Sequence, residues 1–543
     1  MKLSQNFTKT SKNSLSGEVS ENAKLLIRSG YIHKTMAGSY SYLPLGLRAI
    51  NNIENIVRKH LNKIGGQEIL MSSLSPKENW EKTNRWKEIP EYFCLPSQSG
   101  AEYRLNPTHE EVISPIAANY ISSYKDLPEY KEGNGQMPLA IYQIQTKFRD
   151  ELRAKSGLMR GREFRMKDMY DFHQSKESQE SYFELVTQTY HDIFAEIGLK
   201  SYSVNASGGV FSEKMSREFQ AICPAGEDWV YIDPENDSIA FNQEVAPAIA
   251  PESDIKTIKS QYWQDEAGNL IETIIRSDRN ISGEKLQKMH KKTLELVNKE
   301  INVEKAKITQ IYYDDSILEK KDKLYDIKEA IPGDINPETG NIYRVERGAE
   351  IGNIFDLGQK WVKTFEISYL DKNGKKQHPF MGCHGIGTSR CLGALAEIYF
   401  DEKGLKLPKS IAPYQVHLIT HLNKKDENEI NEKLLEIAQN IYCGKVKIVN
   451  GTGSGWQLLD TTDSNQLYQF SLSNKDFSIE EMFQSDQVLW DDRAGKISLG
   501  EKLSDADLIG MPFQVILTKK SLENNQVEMI IRETGEKLFL KMN

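Results

Sequence analysis

From residue 142 to 151 the chain alternates without interruption. Tyr142, Ile144, Thr146 and Phe148 fall on one face of an extended strand, and Gln143, Gln145, Lys147, Arg149 and Glu151 on the other. A Gly-containing basic stretch follows, and residues 163–172 resume strand character, so a long hairpin is predicted. Arg153, Lys155, Arg160 and Arg162 crowd its turn with Gly157 and Gly161. Between Lys147 and Lys167 eight basic residues stand against three acidic ones, a local charge of +5 in a chain of net charge −9. A polyanion responds to the field within about 8–10 Å rather than to the total, so an anionic ligand is expected at the hairpin. Phosphoryl and nucleotidyl transfer require fixed, bidentate positive groups around the phosphates, and Phe164 offers a flat face to a purine. A solvated basic turn is the competing reading, and this motif alone does not choose between the two.

A chain of 543 residues is too long for one core, and about three domains are predicted. Residues 20–28 and 47–64 read as amphipathic helices ended by Gly30 and by Gly65-Gly66, and 68–74 as a strand. Residues 108–124 read as a helix despite Pro115, 126–138 as loop, and 177–197 as a helix. The texture turns Lys-rich near 237, with a helix expected over 284–300, and returns to Gly-punctuated strands at 332. The predicted units are therefore 1–236, an inserted domain over 237–331, a continuation over 332–408, and a C-terminal α/β unit over 409–543. The last carries its own Ser-, Asn-, Asp- and Gly-rich insertion at about 450–486. Hydrophobic residues at 38% and charged residues at 27% fit a soluble globular protein. No stretch approaches the ~20 apolar residues of a membrane span, and residues 1–16 lack the apolar core of a secretory signal. Five scattered cysteines with no Cys-x-x-Cys pair argue against a disulfide framework and a structural zinc site. A cytoplasmic location is expected.

Two further segments carry chemistry. Gly382-Cys383-His384-Gly385-Ile386-Gly387-Thr388-Ser389-Arg390 reads as a strand ending in glycines and a helix opening with Arg, which could hold a nucleotide. It is not a dinucleotide fingerprint, because Arg390 stands where the last Gly belongs, and no phosphate-loop segment exists elsewhere. Cys383 and His384 are neighbours on a strand and point to opposite faces, which weighs against a nucleophile–base pair. In Asn106-Pro107-Thr108-His109-Glu110-Glu111, a hydroxyl with a carboxylate two residues on could take an ammonium group. The same acids could simply favour a helix N-terminus.

The order of these segments resembles class II aminoacyl-tRNA synthetases and, within them, the bacterial-type prolyl enzymes. The resemblance also covers residues 38–46 (GSYSYLPLG), 142–151 (YQIQTKFRDE), 159–164 (MRGREF), 348–355 (GAEIGNIF), 411–416 (IAPYQV) and Asp491-Asp492-Arg493. It implies an α/β fold: an α+β catalytic core on an antiparallel sheet flanked by helices, a small inserted domain reduced from an editing domain, and a C-terminal anticodon-binding domain. It further implies ATP-dependent activation of L-proline to prolyl-adenylate and transfer to the 3′ end of tRNA(Pro). Mg²⁺ would bridge the phosphates, and a homodimer is implied, with no zinc and no membrane. Arg149 would hold the α-phosphate and the amino-acid carboxylate, and Arg160 and Arg390 the outer phosphates. Phe164 would stack on adenine against Arg390, with Glu151 at or beside the adenine. Thr108 and Glu110 would take the proline imino group, Cys383 would line that pocket, and Glu218 and Glu350 are further pocket residues, Glu350 also the metal candidate. Asp492, Arg493 and Lys502 would meet the anticodon.

Four features depart from that pattern. Ser72 replaces a proline of the dimer motif, and the loop over 128–138 is about ten residues longer than usual. The inserted domain is short and shows neither the lysine-bearing helical segment nor the Gly-rich loop used to hydrolyse mischarged alanyl-tRNA. Size discrimination by one methylene is worth only ~1–3 kcal/mol, so alanine should be activated and not cleared. The C-terminal unit carries the 450–486 insertion and stops without a last helix. The rival readings are a sister enzyme charging threonine or serine, a synthetase-like tRNA-binding accessory protein without ligase activity, and a free-standing nucleotidyl ligase.

Overall fold

The computed structural model describes residues 1–542 apart from 14–17, 89–91, 134, 155, 207–215, 256, 298–307, 318–322, 424–427, 445, 450–454, 459–483, 485 and 494–496. Lys155 of the hairpin turn and most of the 450–486 insertion thus lie outside the described residues.

The alternating segment forms the strand Leu139–Phe148, paired antiparallel with Glu163–His173 from Leu139↔Phe172 to Phe148↔Glu163. This hairpin sits inside a nine-stranded sheet, followed across by Phe380–Ile386, Arg344–Gly358, Asp228–Ile232, Ala240–Asn242, Ser201–Ala206 and Ser216–Ile222. Gly66–Glu68 adds a short parallel strand on the far edge. Pairing is otherwise antiparallel except where Ala240–Asn242 meets Ser201–Ala206.

One sheet face is covered by helices Pro44–Lys63, Lys176–Ile197 and Thr388–Ile398. Ile50, Ile53, Val57 and Leu61 recur at helical spacing on the first and are fully buried. Lys176–Ile197 is capped by the Ser175 hydroxyl, which accepts from Ser178 N, and stopped by Gly198 at φ 94°. Losing such a cap costs about 0.5–2 kcal/mol. The opposite face packs on helices Glu110–Tyr120 and Lys360–Thr364, and on this side the sheet opens into the functional cavity.

Three local expectations change. Residues 68–74 are not one strand: pairing stops at Glu68. The Met71 and Ser72 backbone is bound by side chains instead, Met71 N donating to Gln143 Oε1 and Ser72 O accepting from Asn106 Nδ2 and His109 Nε2. The expected insert boundary at 237 falls inside the large sheet, since Ala240–Asn242 pairs with Asp228–Ile232. A separate four-stranded sheet, ordered Leu294–Leu296, Ile258–Asp265, Leu270–Arg276, Ile308–Tyr313, carries its own core around Trp263, Ile271, Ile275 and Leu286. Of the helix expected over 284–300, the described residues form only Gly283–His290, and 298–300 lie outside them. Lys291 turns left-handed at φ 61°, and Leu294 enters the insert core as a strand residue.

The C-terminal unit is a seven-stranded sheet around Val416–Thr420, Phe513–Leu517 and Val488–Asp491, with helices Asn428–Tyr442 and Leu499–Ile509 packed on it. Among the described residues no helix is long and apolar enough to cross a membrane.

Candidate active site

The hairpin does not spend its charge as the +5 count suggests. Lys147 is fully buried, 2.6 Å from Asp168 Oδ1 and 2.9 Å from His109 Nδ1. Lys167 is equally buried and donates to the Tyr190 hydroxyl and to His384 O. Arg165 pairs with Glu54, and Arg162 donates to the backbone oxygens of Glu151 and Ala37. Burial of so many ionic groups is tolerated because each finds a partner.

The turn presents two arginines to a cavity of about 390 Å³. Arg149 follows the first strand and its N–H donates to Arg162 O at 2.8 Å, so the side chain leaves a closed turn. Arg160 follows the short 3-10 turn Gly157–Met159. A third guanidinium comes from the first turn of helix Thr388–Ile398: Arg390 Nε donates to Met159 O at 2.7 Å and Nη1 to Glu350 O at 2.6 Å. Arg149, Arg160 and Arg390 thus reach one cavity from two distant parts of the chain. Burial first, and then the neighbouring charge of Arg390, draw the Arg149 guanidinium below its ordinary range. The Arg149 guanidinium carbon lies over the Phe164 ring, 5.1 Å from its centroid.

The other end of the cavity is small and polar. Thr108 Oγ1 donates to Glu110 Oε2 at 2.6 Å, and Cys383 Sγ donates to Glu110 Oε1 at 3.0 Å. Burial, then Glu110, push the Cys383 thiol well up, so it stays protonated and is no nucleophile. His384 turns to the opposite sheet face and bonds Asp171, as strand alternation requires. Beneath this end Asp168 accepts from Gln143 Nε2 at 3.1 Å and from the Tyr170 hydroxyl at 3.0 Å. Burial opposes its ionisation, but Lys147 and His109 hold its carboxyl below the usual range. Burial and then Lys147 lower His109 to about 4, which keeps the ring neutral, accepting from Lys147 and donating to Ser72 O.

Glu151, Glu218 and Glu350 also line the cavity. Glu218 accepts from Gln220 and Asn242, and burial followed by Glu350 and Asp228 pushes its carboxyl well up. The anticodon candidates lie elsewhere and meet a different fate. Asp492 accepts from Ser4, and Arg493 is held by Asp491 and Asp505. Lys502 is corrected: it is 1% exposed, and its ammonium donates to Thr420 O and Asp491 O at 2.7 and 3.2 Å, so it braces the sheet and offers nothing to a ligand.

Comparison with known proteins decides the family. Residues 92–399 match the tRNA synthetase class II core domain (G, H, P, S and T), and 472–543 an anticodon binding domain. A proline–tRNA ligase of Listeria monocytogenes serotype 4b (strain F2365) is 32% identical over 96% of this chain and 94% of its own. This chain belongs to the proline–tRNA ligase family. The proline–tRNA ligase of Bacillus velezensis is 33% identical over 94% of this chain and 93% of its own, and that of Bacillus subtilis 31% over the same shares. The solved Giardia lamblia prolyl-tRNA synthetase in complex with prolyl-adenylate shares the fold, with a TM-score of 0.60 at 18% identity over 96% of this chain and 74% of that one. As a member of the proline–tRNA ligase family the chain is an aminoacyl-tRNA ligase with a class II core and an anticodon-binding domain.

Several lining residues escaped the sequence reading. Asp168 and Met166 line the cavity with Phe164; continuing the period-2 alternation from Phe164 would have found both. Asn353 lies on the strand Arg344–Gly358, two residues beyond Ile351, and also lines it. Glu227 and Asp228, where the chain enters the strand Asp228–Ile232, border a neighbouring pocket with Arg149, Arg160 and Arg390, and no motif marks them.

Proposed function

We propose that this cavity activates L-proline with ATP and passes the prolyl group to tRNA. The observation that carries the reading is the pairing, in one cavity, of three guanidinium groups with the Thr108–Glu110–Cys383 cluster. Arg149, which lines the cavity, would hold both the α-phosphate and the proline carboxylate, so the two reacting groups would share one cation. Glu110, already accepting from Thr108 and Cys383, supplies the anion for the proline imino group, and Phe164 the face for adenine. Arg160 and Arg390 take the outer phosphates. A carboxylate oxygen of proline attacks the α-phosphorus, the bond to pyrophosphate breaks and pyrophosphate leaves. A terminal hydroxyl of tRNA then attacks the prolyl carbonyl carbon, losing its proton as AMP departs. No covalent bond to the protein is needed. Orientation alone is worth ~7–11 kcal/mol in such reactions, and fixed positive charge supplies the rest.

Mg²⁺ fits the donors at the nucleotide end. Glu218, pushed up by burial and then by the nearby carboxylates of Glu350 and Asp228, lies beside them, and the buried Asn353 Oδ1 has no partner. Glu350 and Asn353 would hold the ion together with phosphate oxygens and water, and it would neutralise charge on the departing pyrophosphate. The tightest acidic cluster among the described residues, Asp314, Asp315 and Asp326, is in the insert and is filled by the ammonium groups of Lys328 and Lys285.

A cytoplasmic homodimer, the arrangement the motifs imply, completes the reading. Aminoacylation of total tRNA with labelled proline tests it. Wild-type protein charges a tRNA fraction with proline, and Arg149→Ala lowers the rate by at least ~10²-fold, the scale of a lost transition-state contact, with an unchanged thermal transition. Equal charging by a well-folded Arg149→Ala variant would remove the hairpin from the mechanism.

A further inference from the structure

Residues 3–12 cross from the core to the C-terminal unit. Ser11 N donates to Arg28 O at 2.8 Å, Thr10 Oγ1 to Asp505 Oδ1 at 2.6 Å, and Ser4 Oγ to Asp492 Oδ2 at 2.6 Å. Between this segment and helix Leu499–Ile509 lies a groove of about 740 Å³, larger than the catalytic cavity and separate from it. Lys9, Lys12, Arg28, Lys403 and Arg493 line it against Glu501 and Asp505. Arg493 and Asp505 neutralise each other at 2.8 Å. Lys9, Lys12 and Lys403 are exposed, and neither they nor Arg28 form ion pairs among the described residues, in a chain of net charge −9. Beside them Phe7 holds its ring 84% exposed, between two residues, Asn6 and Thr8, that line the groove.

An excess of cations along a groove with an uncovered aromatic ring at its edge forms the combination that binds single-stranded RNA: charge follows the backbone and the ring stacks a base. One wall of the groove belongs to the region that matches an anticodon binding domain. We propose that residues 3–12 extend the tRNA-binding surface, with Lys9, Lys12, Arg28 and Lys403 along the RNA backbone and Phe7 under an unpaired base. This rests on the reading that tRNA is the second substrate. It also gives the segment a purpose beyond tying two units together.

Filter binding of tRNA to the full chain between 50 and 200 mM salt tests it, alongside proline-dependent pyrophosphate exchange, which needs no tRNA. The Lys9→Ala/Lys12→Ala double variant loses about ten-fold or more in tRNA affinity. The slope of log K against log salt becomes shallower by about 0.7–0.9 per phosphate contact removed. Phe7→Ala loses about five-fold or more with its salt slope unchanged, and Phe7→Trp restores binding. All variants keep wild-type exchange. Wild-type affinity and slope in both the lysine and the Phe7→Ala variants would overturn the proposal. Absence of exchange in the wild-type protein would instead overturn the catalytic reading, while the binding curves would still decide the groove.

Discussion

Arg160 enters the cavity with two donors engaged, Nε on Glu151 at 2.8 Å and Nη1 on Glu227 at 3.1 Å. Glu227 is aimed by a rigid turn: Gly226 lies so close to Gly348 that an added Cβ would sit 2.5 Å from its backbone. An exposed pair of this kind contributes ~0.2–1 kcal/mol. Glu227→Ala therefore raises the KM for ATP by up to about five-fold with kcat less affected, and Glu227→Gln, which keeps an acceptor, recovers part of the loss. Steady-state exchange kinetics check this, and an unchanged KM in Glu227→Ala would deny Glu227 a positioning role. A second residue contributes to the dependence of stability on pH. His417 is fully buried in the C-terminal sheet with neither ring nitrogen hydrogen-bonded, and burial lowers it to about 4. Below pH 6.5 the unfolded chain takes up a proton that the folded ring refuses, so stability falls from pH 6.5 toward 4, by up to ~1.4 kcal/mol per unit. His417→Leu removes both the titration and the unpaired nitrogens. Its unfolding temperature should fall less than wild type's between pH 7 and 5; an identical fall would show that His417 does not report this linkage.

At the scale of elements, local periodicity was legible and long-range satisfaction was not. The strands of the hairpin and the helices Pro44–Lys63 and Lys176–Ile197 follow directly from their alternation and helical spacing. Residues 68–74 defeated that reading because Gln143, Asn106 and His109, distant in sequence, take the backbone bonds that a neighbouring strand would have supplied. The site was legible where a motif marked it, at Arg149, Arg390, Thr108 and Cys383. It was not legible at Glu227, which borders the site through its ion pair with Arg160 and has no local signal. The insert carries a further consequence. Its helix Gly283–His290 bears Lys285, but that ammonium is held by both carboxylate oxygens of Asp326 at 3.0 and 3.1 Å. A lysine so engaged is not free for another ester or ammonium chemistry. The purified protein should activate alanine detectably and leave pre-formed alanyl-tRNA intact over the time course of spontaneous hydrolysis. Rapid clearance of alanyl-tRNA would contradict this.

At the scale of the whole molecule, one mostly antiparallel sheet brings the hairpin, the strand Arg344–Gly358 and the strand Phe380–Ile386 together, and the candidate cavity forms where they meet. The segment after Glu68 leaves Leu70 and Leu74 exposed at 76% and 46%, while its backbone is wired through His109 to Lys147 and Asp168 beneath the cavity. The proposed homodimer would cover those leucines: sedimentation should then show a dimer and Leu70→Asp should shift it toward monomer, whereas a monomeric wild-type protein at micromolar concentration would dismiss that interface. The central claim is that three arginines from separated segments bind one triphosphate beside a pocket for an imino acid. ATP–pyrophosphate exchange, run with each of the twenty amino acids in turn, measures it most directly. Proline should support rapid exchange, alanine a slower rate, and threonine and serine none; exchange driven by another amino acid, or no exchange at all, would contradict the account.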